Sequence, residues 1–342
     1  MRITSIDFFR SLAIFSVILI HTKPFMHDLF PDPSYRLAEY LFNQPPRFAV
    51  PFFFMAAGYF MARKYQTGSP KRIVGLARYV QRLLFLLLVW SIVYTVIPSE
   101  WQTLATEPYL QQLSRQTSAL LASPFQLFFE GGKVHLWFLP SLGLGVVLLG
   151  LLTGSGRTLP LCLVAALLFV IGLLGGSYSV TPLGLDLPFT TRDGPFLSTI
   201  CLTIGLLLYR RGPIPVSPTQ ALLLLSAGLA LHVLESWALW HYYAVPMLRH
   251  NYLFGTVIGA AGLLLFALAV PAFGQRSNLH SLGRDTLGIY LSHYLFVDSL
   301  TPLTHLFELH IWQLVFPLLV FLLSLALTRT LSRWRWTNPL IS

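Results

Sequence analysis

The 342-residue chain is 55% hydrophobic and only 11% charged, with a mean hydropathy of +0.66. Soluble globular domains carry about 25% charged residues, so this composition excludes an ordinary soluble protein. It also excludes a disordered, collagen-like or disulfide-rich chain. The formal charge of +10 is spread over short loops and not gathered on one surface, which argues against nucleic-acid binding. We therefore predict a polytopic membrane protein.

Ten apolar segments follow one another along the chain, and about 20 apolar residues cross a bilayer once. They cover residues 6–22, 48–63, 80–98, 134–153, 159–176, 195–209, 219–241, 252–273, 286–303 and 311–329. The sequence thus predicts an all-α membrane helix bundle of about ten transmembrane helices. It predicts a single membrane-embedded domain over 1–342, with no soluble domain appended. Cys162 and Cys201 fall inside these segments and are expected to be small buried hydrophobes.

Lysine and arginine residues in the intervening loops predict the orientation of the bundle. Fifteen of the 23 basic residues would lie on one side and seven on the other, and Arg10 lies within the first segment. Positively charged loops stay in the cytoplasm, so both termini are predicted to be cytoplasmic. The longer loops, 23–47 and 99–133, would face outward and have room for short interfacial helices.

The first segment contains three ionisable residues, Asp7, Arg10 and His21. Arg10 and His21 are eleven residues apart, which is three turns plus about 20°, so they share one helix face about 16 Å apart along the axis. Asp7 lies one turn before Arg10 and can pair with it. A structural interpretation is an interfacial pair and a histidine at the far headgroup level. In the chemical interpretation, Arg10 holds the phosphates of a cytosolic acyl-CoA and His21 acts as a base near its thioester.

Four sequence blocks resemble the integral-membrane acyltransferase family 3. Arg10 and His21 match the family's arginine and histidine separated by ten residues. The block from Arg47 to Tyr59 is similar to R-x-x-V-P-x-F-F-x-x-S-G-Y, with alanine replacing the serine. Residues 135–139 resemble H-L-W-F/Y-L, without the following acids of larger members, and 287–293 resemble L-G-I-Y-x-x-H. The nearest resemblance is to small enzymes that O-acetylate enterobacterial common antigen and similar surface glycans.

The resemblance implies a membrane O-acyltransferase of the bacterial inner membrane. It would move an acetyl or other short acyl group from acetyl-CoA or a similar cytosolic donor to a hydroxyl of a lipid-linked or cell-surface glycan, with no bound cofactor and no metal. The predicted residues are His21 and Asp7 for catalysis, Arg10, Arg47, Arg78 and Arg82 for the donor, and Glu130, His135, Trp137, Tyr290 and His293 for the acceptor or active-site lining. Whether His21 is a base or an acyl carrier stays open, as do O- versus N-acylation and the oligomeric state.

Two other functions also stay open. A secondary transporter or flippase would use a buried arginine and histidine as well. It predicts broken midplane helices and an inverted repeat, and neither is evident in the sequence. A sensor or assembly scaffold would not explain why Arg10 and His21 share one face of the first segment. Structural roles remain alternatives for Trp137 in an aromatic belt, for His293 in helix packing and for Glu130 in an ion pair with Lys133.

Overall fold

The computed structural model describes residues 3–25, 35–65, 71–98, 107–153, 156–212, 215–304 and 310–341, and no strand occurs in these ranges. Their helices are α1 (Thr4–Thr22), α2 (Arg36–Asn43), α3 (Ala49–Lys64), α4 (Lys71–Val96), α5 (Tyr109–Ala122), α6 (Pro124–Glu130), α7 (Phe138–Leu152), α8 (Leu159–Leu174), α9 (Pro195–Arg211), α10 (Pro218–Tyr243), α11 (Phe254–Ala269), α12 (Leu279–Leu282), α13 (Thr286–Thr304) and α14 (His310–Ser332). Short 3-10 turns cover Pro45–Phe48, Val134–Trp137, Met247–Arg249 and Asn338–Leu340.

Each of the ten predicted segments is helical, as α1, α3, α4, α7, α8, α9, α10, α11, α13 and α14. The largest boundary difference is in α4, which begins at Lys71 and not at residue 80. Its first turns contain Lys71, Arg72 and Arg78, which are compatible with helix but interrupt the apolar run. Helices α2, α5 and α6 lie in the two long predicted loops, whose residues 26–34 and 99–106 are outside the described ranges.

Five helical stretches are long and apolar enough to cross a membrane: Thr4–Thr22, Arg72–Val96, Val134–Leu152, Pro218–Tyr243 and His310–Ser332. Large apolar side chains are also exposed on the helix surfaces, with Leu88 61%, Leu163 63% and Ile311 70% accessible. Such a surface is unfavourable in water and favourable against lipid. The all-helical membrane protein that the sequence predicts is confirmed, whereas the count of about ten spans stays a prediction.

The chain forms two compact units. The first comprises Met1–Ala13, Arg47–Leu83 and Ser141–Gly283, and it contains α3 and α8 to α12. The second comprises Ile14–Pro46, Leu84–Pro140 and Arg284–Ser342, and it contains α2, α5, α6, α13 and α14. The boundary falls inside α1, α4 and α7, so each of these helices contributes to both units.

Glycines let helix backbones approach closely in the first unit. A Cβ on Gly58 in α3 would overlap the backbone of Leu202 in α9, and one on Gly205 would overlap the backbone of Met55. Small residues at such crossings are how helices pack in membranes, where no hydrophobic force favours one apolar surface over another. The block that begins at Arg47 therefore has a packing role through Gly58.

The start of α11 is held by a carboxylate from α10. Glu235 accepts hydrogen bonds from the backbone N–H of Phe254 at 3.2 Å and of Gly255 at 2.8 Å, and the Tyr178 hydroxyl also donates to it. A negative charge at a helix N-terminus is stabilised by the unsatisfied N–H groups there. Glu235 thus has a structural role in the first unit.

In the second unit, α13 is fixed by contacts to α4 and α14. The Tyr94 hydroxyl of α4 donates to the Leu291 carbonyl at 2.7 Å. Gly288 lies against Thr328 of α14, where a Cβ would meet that side chain. These contacts set the rotation of α13 and so decide which of its side chains face the interior of this unit.

Candidate active site

Three histidines that are distant in sequence meet inside the second unit. His21 ends α1, His135 lies in the turn Val134–Trp137, and His293 lies in the middle of α13. His21 Nδ1 and His293 Nε2 are 2.8 Å apart, which is hydrogen-bond distance. The ring of His135 lies 4.9 Å from that of His293 and 6.4 Å from that of His21, between centroids. The structure thus brings together one residue from each of three motif blocks.

His135 is the most isolated polar group of this histidine cluster. It is 1% exposed, and neither ring nitrogen has a hydrogen-bond partner in the described part of the chain. The Leu291 carbonyl, which accepts from Tyr94, also lies nearby, but neither ring nitrogen meets it with hydrogen-bond geometry. Buried polar atoms are nearly always satisfied, so an exception points to a partner that comes from outside the chain. His135 is therefore a candidate for ligand contact.

The hydrogen bonds of His293 assign the protons on both histidines of the pair. Its Nδ1 lies 2.6 Å from the Tyr290 carbonyl oxygen, which can only accept, so this nitrogen carries a proton. In the neutral ring Nε2 then has the lone pair and accepts from His21 Nδ1–H. A neutral His21 accordingly has its own lone pair on Nε2. This is the tautomer that a base acting through Nε2 requires.

Three tyrosine rings surround the histidine cluster. The ring of Tyr294 lies 4.6 Å from that of His135 and 4.8 Å from that of His21, and the rings of Tyr94 and Tyr290 lie 5.0 and 5.5 Å from that of His135. The Tyr290 hydroxyl donates to the backbone carbonyl of His135. These rings fix the imidazoles by packing.

A cation and an acid lie beside the same tyrosine. Lys133 Nζ is 2.6 Å from Asp298 Oδ2 and 5.2 Å from the centroid of the Tyr294 ring. Both charged side chains are mostly buried, at 19% and 17% exposure. Their remaining hydrogen-bonding capacity could bind a polar ligand.

One face of α13 carries four of these eight groups. Tyr290, His293, Tyr294 and Asp298 stand at positions i, i+3, i+4 and i+8, which lie above one another on a helix. The sequence motif identified the first two. It missed Tyr294 and Asp298, although an acid inside an apolar helix is itself a signal of function. Tyr94 was also missed, and its position in α4 carries no comparable signal.

The remaining two predicted acceptor residues, Trp137 and Glu130, also belong to the second unit. Trp137 is 9% exposed and therefore buried, whereas the membrane-belt interpretation would place it at a lipid surface. Glu130, at the end of α6, accepts a hydrogen bond from Gln126 at 3.0 Å. The ammonium of Lys133 is bound by Asp298, which the sequence analysis had not considered as its partner.

The four predicted donor arginines all belong to the first unit. Arg10 pairs with Asp7 across one helical turn at 3.5 Å, as the spacing predicts. The charges of Arg10 and Arg82 both act on the hydroxyl of Tyr79 in α4, which indicates that these groups are neighbours. Arg78 and Arg82 are exposed.

Arg47 lies in the 3-10 turn before α3, beside the buried His250. Its guanidinium donates to Asn251 Oδ1 at 3.3 Å and to the Leu248 carbonyl at 3.4 Å. Burial, and then the charge of Arg192, lower the pKa of Arg47 to about 10, so it remains charged at neutral pH. His250 is 1% exposed, and burial followed by the Arg47 charge lowers its pKa to about 4. Arg47 is thus a half-buried cation with a neutral imidazole beside it.

Within the described ranges, no three histidine, cysteine or acidic side chains are placed to hold a metal ion. Cys162 and Cys201 are free thiols, half-buried in α8 and buried in α9 respectively.

Comparison with known proteins identifies one family. A family model described as an acyltransferase domain matches residues 3–332, a range that includes every helix of the structure. No solved structure matches the chain at a significant level.

Three curated relatives match the chain over part of their own length. A serine/alanine racemase of Enterococcus gallinarum is 27% identical over 308 residues, which is 86% of this chain and 40% of the relative. Two amino-acid racemases of Enterococcus faecalis are 26% and 29% identical, over 59% and 61% of this chain and 27% and 29% of their own lengths. The chain therefore spans less than half the length of these relatives, and none of the three names contains an O-acetyltransferase of common antigen.

Proposed function

The chain belongs to the acyltransferase 3 family, and we propose that it transfers an acetyl or other short acyl group from a cytosolic acyl-CoA to a hydroxyl of a lipid-linked or cell-surface glycan. The observation that carries this proposal is the histidine cluster, in which His293 hydrogen-bonds to His21 at 2.8 Å beside a buried His135. An imidazole with an orienting partner is the usual group for moving the proton of a hydroxyl nucleophile.

In the proposed reaction, His21 Nε2 takes the proton of the acceptor hydroxyl as its oxygen attacks the thioester carbonyl carbon. A carbon–oxygen bond forms, and the tetrahedral intermediate then breaks the carbon–sulfur bond. The sulfur takes the proton back from the His21 imidazolium, so CoA leaves as the thiol and His21 is again neutral. His135, whose ring nitrogens have no partner in the described chain, would bind the oxygen that becomes negative in the intermediate.

The acceptor would be bound by the aromatic rings and the charged pair of the second unit. Tyr294 offers a flat surface to a sugar ring, and Lys133 with Asp298 offers donors and acceptors to its hydroxyl groups. Glu130 and Trp137 complete the predicted acceptor residues. A glycan fits these groups better than a purely apolar acceptor does, because burying the ion pair against hydrocarbon would be unfavourable.

The donor would be bound by the basic residues of the first unit. Arg10, oriented by Asp7, is the first candidate for the CoA phosphates, and Arg82 is the second, since the charges of both act on Tyr79. Arg78 and Arg47 stay predicted donor ligands. We further propose ten membrane spans with both termini in the cytoplasm of a bacterium. The side of the bundle with fifteen basic residues would then face the cytosolic donor.

The test is acyl transfer by purified protein in nanodiscs, with CoA release and labelling of a glycolipid acceptor as the two readouts. We expect His21→Ala to lower both rates by about 10²–10⁴, the usual contribution of general base catalysis. Arg10→Ala should raise the KM for acetyl-CoA more than it lowers kcat. His241→Ala, which removes an exposed histidine of α10, is the matched control.

Two results would contradict the acyltransferase proposal. One is equal activity of the His21→Ala and His241→Ala proteins. The other is a wild type that neither binds nor turns over acyl-CoA with the acceptor present. Release of one CoA per protein in a burst without acceptor would identify His21 as an acyl carrier and not a base.

Amino-acid transport is the competing function. The relatives are named for racemases of serine, alanine or amino acids, and a membrane bundle with buried arginine and histidine residues can move a polar solute. Uptake of serine or alanine into proteoliposomes distinguishes the two functions. Uptake that depends on His21, with no CoA release, would replace acyl transfer as the function of the site.

A further inference from the structure

A cavity of about 450 Å³ lies in the first unit, apart from the residues assigned above. Its polar lining consists of two arginines and two tyrosines, and the rest is largely apolar. The lining residues are Met61, Ala62, Tyr65, Arg72, Leu76, Leu149, Leu206, Tyr209, Arg210 and Gly212. We call it the arginine cavity.

Arg72 is an unusually buried cation. It is 5% exposed, and its Nη2 donates to the hydroxyl of Thr153 and to the Leu149 carbonyl at 3.4 Å. Both partners are neutral oxygens. The charge of Arg210 acts on Arg72 as a repulsion, so two like charges face the same cavity. A buried guanidinium normally has a carboxylate or phosphate partner, because its charge is costly without one.

The sequence shows that no carboxylate of the neighbouring segments can supply that partner. Residues 40–99, 131–185 and 194–234 contain no aspartate or glutamate. These stretches include every lining residue and also the loop positions 66–70, 154–155 and 213–214, which lie outside the described ranges. The segments next to the cavity carry seven basic residues: Arg63, Lys64, Lys71, Arg72, Arg157, Arg210 and Arg211. The cavity therefore has a strong excess of positive charge.

The other walls indicate what kind of anion fits. Tyr65 and Tyr209 present aromatic rings, and Lys64 Nζ lies 5.2 Å from the centroid of the Tyr65 ring. The leucines and Met61 form an apolar wall. A volume of about 450 Å³ lies within the range of small-molecule sites and far exceeds that of an inorganic phosphate. The ligand therefore combines an anionic group with an aromatic or apolar group.

We propose that the arginine cavity binds a phosphate ester, with Arg72 and Arg210 on the phosphate and Tyr65 and Tyr209 against its organic part. Guanidinium groups bind phosphate through parallel hydrogen bonds, and arginine is the preferred residue for it. Two sources share this chemistry, a soluble nucleotide and the headgroup of an anionic phospholipid. The proposal does not depend on acyl transfer, because it rests on the charge of the cavity alone.

Direct binding measurements test the proposal without any turnover. Full-length protein in phosphatidylcholine nanodiscs is titrated with adenosine 3′,5′-bisphosphate and, separately, with inorganic phosphate. In a second arm, phosphatidylglycerol is added to the nanodiscs and lipid retained after detergent extraction is measured by native mass spectrometry. Binding in the first arm identifies a nucleotide, and selective retention of phosphatidylglycerol identifies a lipid headgroup.

We expect Arg210→Gln to weaken binding of the phosphate ester at least tenfold, and Tyr209→Ala to weaken it less. Arg276→Gln, which removes an exposed arginine of the same unit, should leave binding unchanged. Arg72→Gln should weaken binding more than Arg210→Gln does. If the Arg72→Gln protein does not fold, the Arg210→Gln protein still decides the test. The proposal is wrong if neither phosphate ester binds the wild type, or if Arg210→Gln and Arg276→Gln bind equally well.

Discussion

His293 should act as a positioning residue that decides which nitrogen of His21 carries the proton. Its Nδ1–H is committed to the Tyr290 carbonyl at 2.6 Å, so its Nε2 accepts from His21 at 2.8 Å. Replacing His293 with alanine removes the acceptor and frees His21 to turn or to change tautomer. Replacing it with glutamine keeps an oxygen that can accept from His21 Nδ1–H.

The expected loss follows from the hydrogen bond that is removed. A buried group that loses its partner costs about 1–3 kcal/mol, and each 1.36 kcal/mol is a factor of ten in rate. His293→Ala should therefore slow acyl transfer roughly 5- to 150-fold, and His293→Gln should recover part of that loss. His21→Ala should be slower than either, because it removes the base itself.

The decisive assay combines kinetics with the NMR spectrum of ¹⁵N-histidine-labelled protein. The His21 signals are identified by their absence in His21→Ala. In the wild type we expect the proton on Nδ1 of His21, and in His293→Ala a shift of the proton toward Nε2. The reasoning fails if His21 already carries its proton on Nε2 in the wild type. It also fails if folded His293→Ala protein keeps the full rate of transfer.

Three further predictions follow from the buried polar groups. His135→Phe should leave the unfolding temperature nearly unchanged, because neither ring nitrogen has a hydrogen bond within the described chain to lose, yet slow transfer roughly tenfold or more; a large drop in stability would mean a structural role. Lys133→Met and Asp298→Asn should each destabilise the protein by about 1–2 kcal/mol, and the double variant by less than their sum; strictly additive effects would show that the ion pair has no coupling. The pKa of His250 is lowered to about 4 from 6.5, so stability is complete above pH 6.5 and is lost as the pH falls toward 4. That loss amounts to about 2 kcal/mol at pH 5. His250→Asn should therefore show a smaller fall in unfolding temperature between pH 7 and pH 5, and identical falls would refute the assignment.

The sequence predicted the helices well because apolar runs and helices coincide in a membrane protein. Segment 219–241 became α10, Pro218–Tyr243, and segment 286–303 became α13, Thr286–Thr304. The start of α4 was missed because its first turns are basic, and helix propensity does not depend on apolarity. For the long loops the sequence predicted only that short helices could be present. It did not give the bounds of helices such as α5, because they lack a continuous apolar run.

The candidate site was predictable only where a motif marked the residue. His21, His135 and His293 came from separate blocks, and no spacing rule could show that their rings meet. Tyr94 reaches the carbonyl of Leu291 across 197 residues of sequence, a contact that helix periodicity does not contain. Arg72 and Arg210 of the arginine cavity are also far apart in sequence, in α4 and α9. The positive-inside rule treats such residues as topology signals, and this is why a binding role for them went unnoticed.

The proposed use of a histidine base, and not of a carboxylate, fits the surroundings of the second unit. Two acids there are held by cations, Asp298 by Lys133 at 2.6 Å and Asp285 by Arg329 at 3.1 Å. A carboxylate needs such a counter-ion in an apolar interior, and the ion pair then makes it a poor base. A neutral imidazole needs none and can be buried with only a hydrogen-bond partner. Once His21 has taken a proton, its neighbours His135, His293 and Tyr294 offer no negative charge to retain it. The imidazolium is therefore expected to return its proton promptly to the departing sulfur, which favours general acid–base transfer over a long-lived charged state of the site.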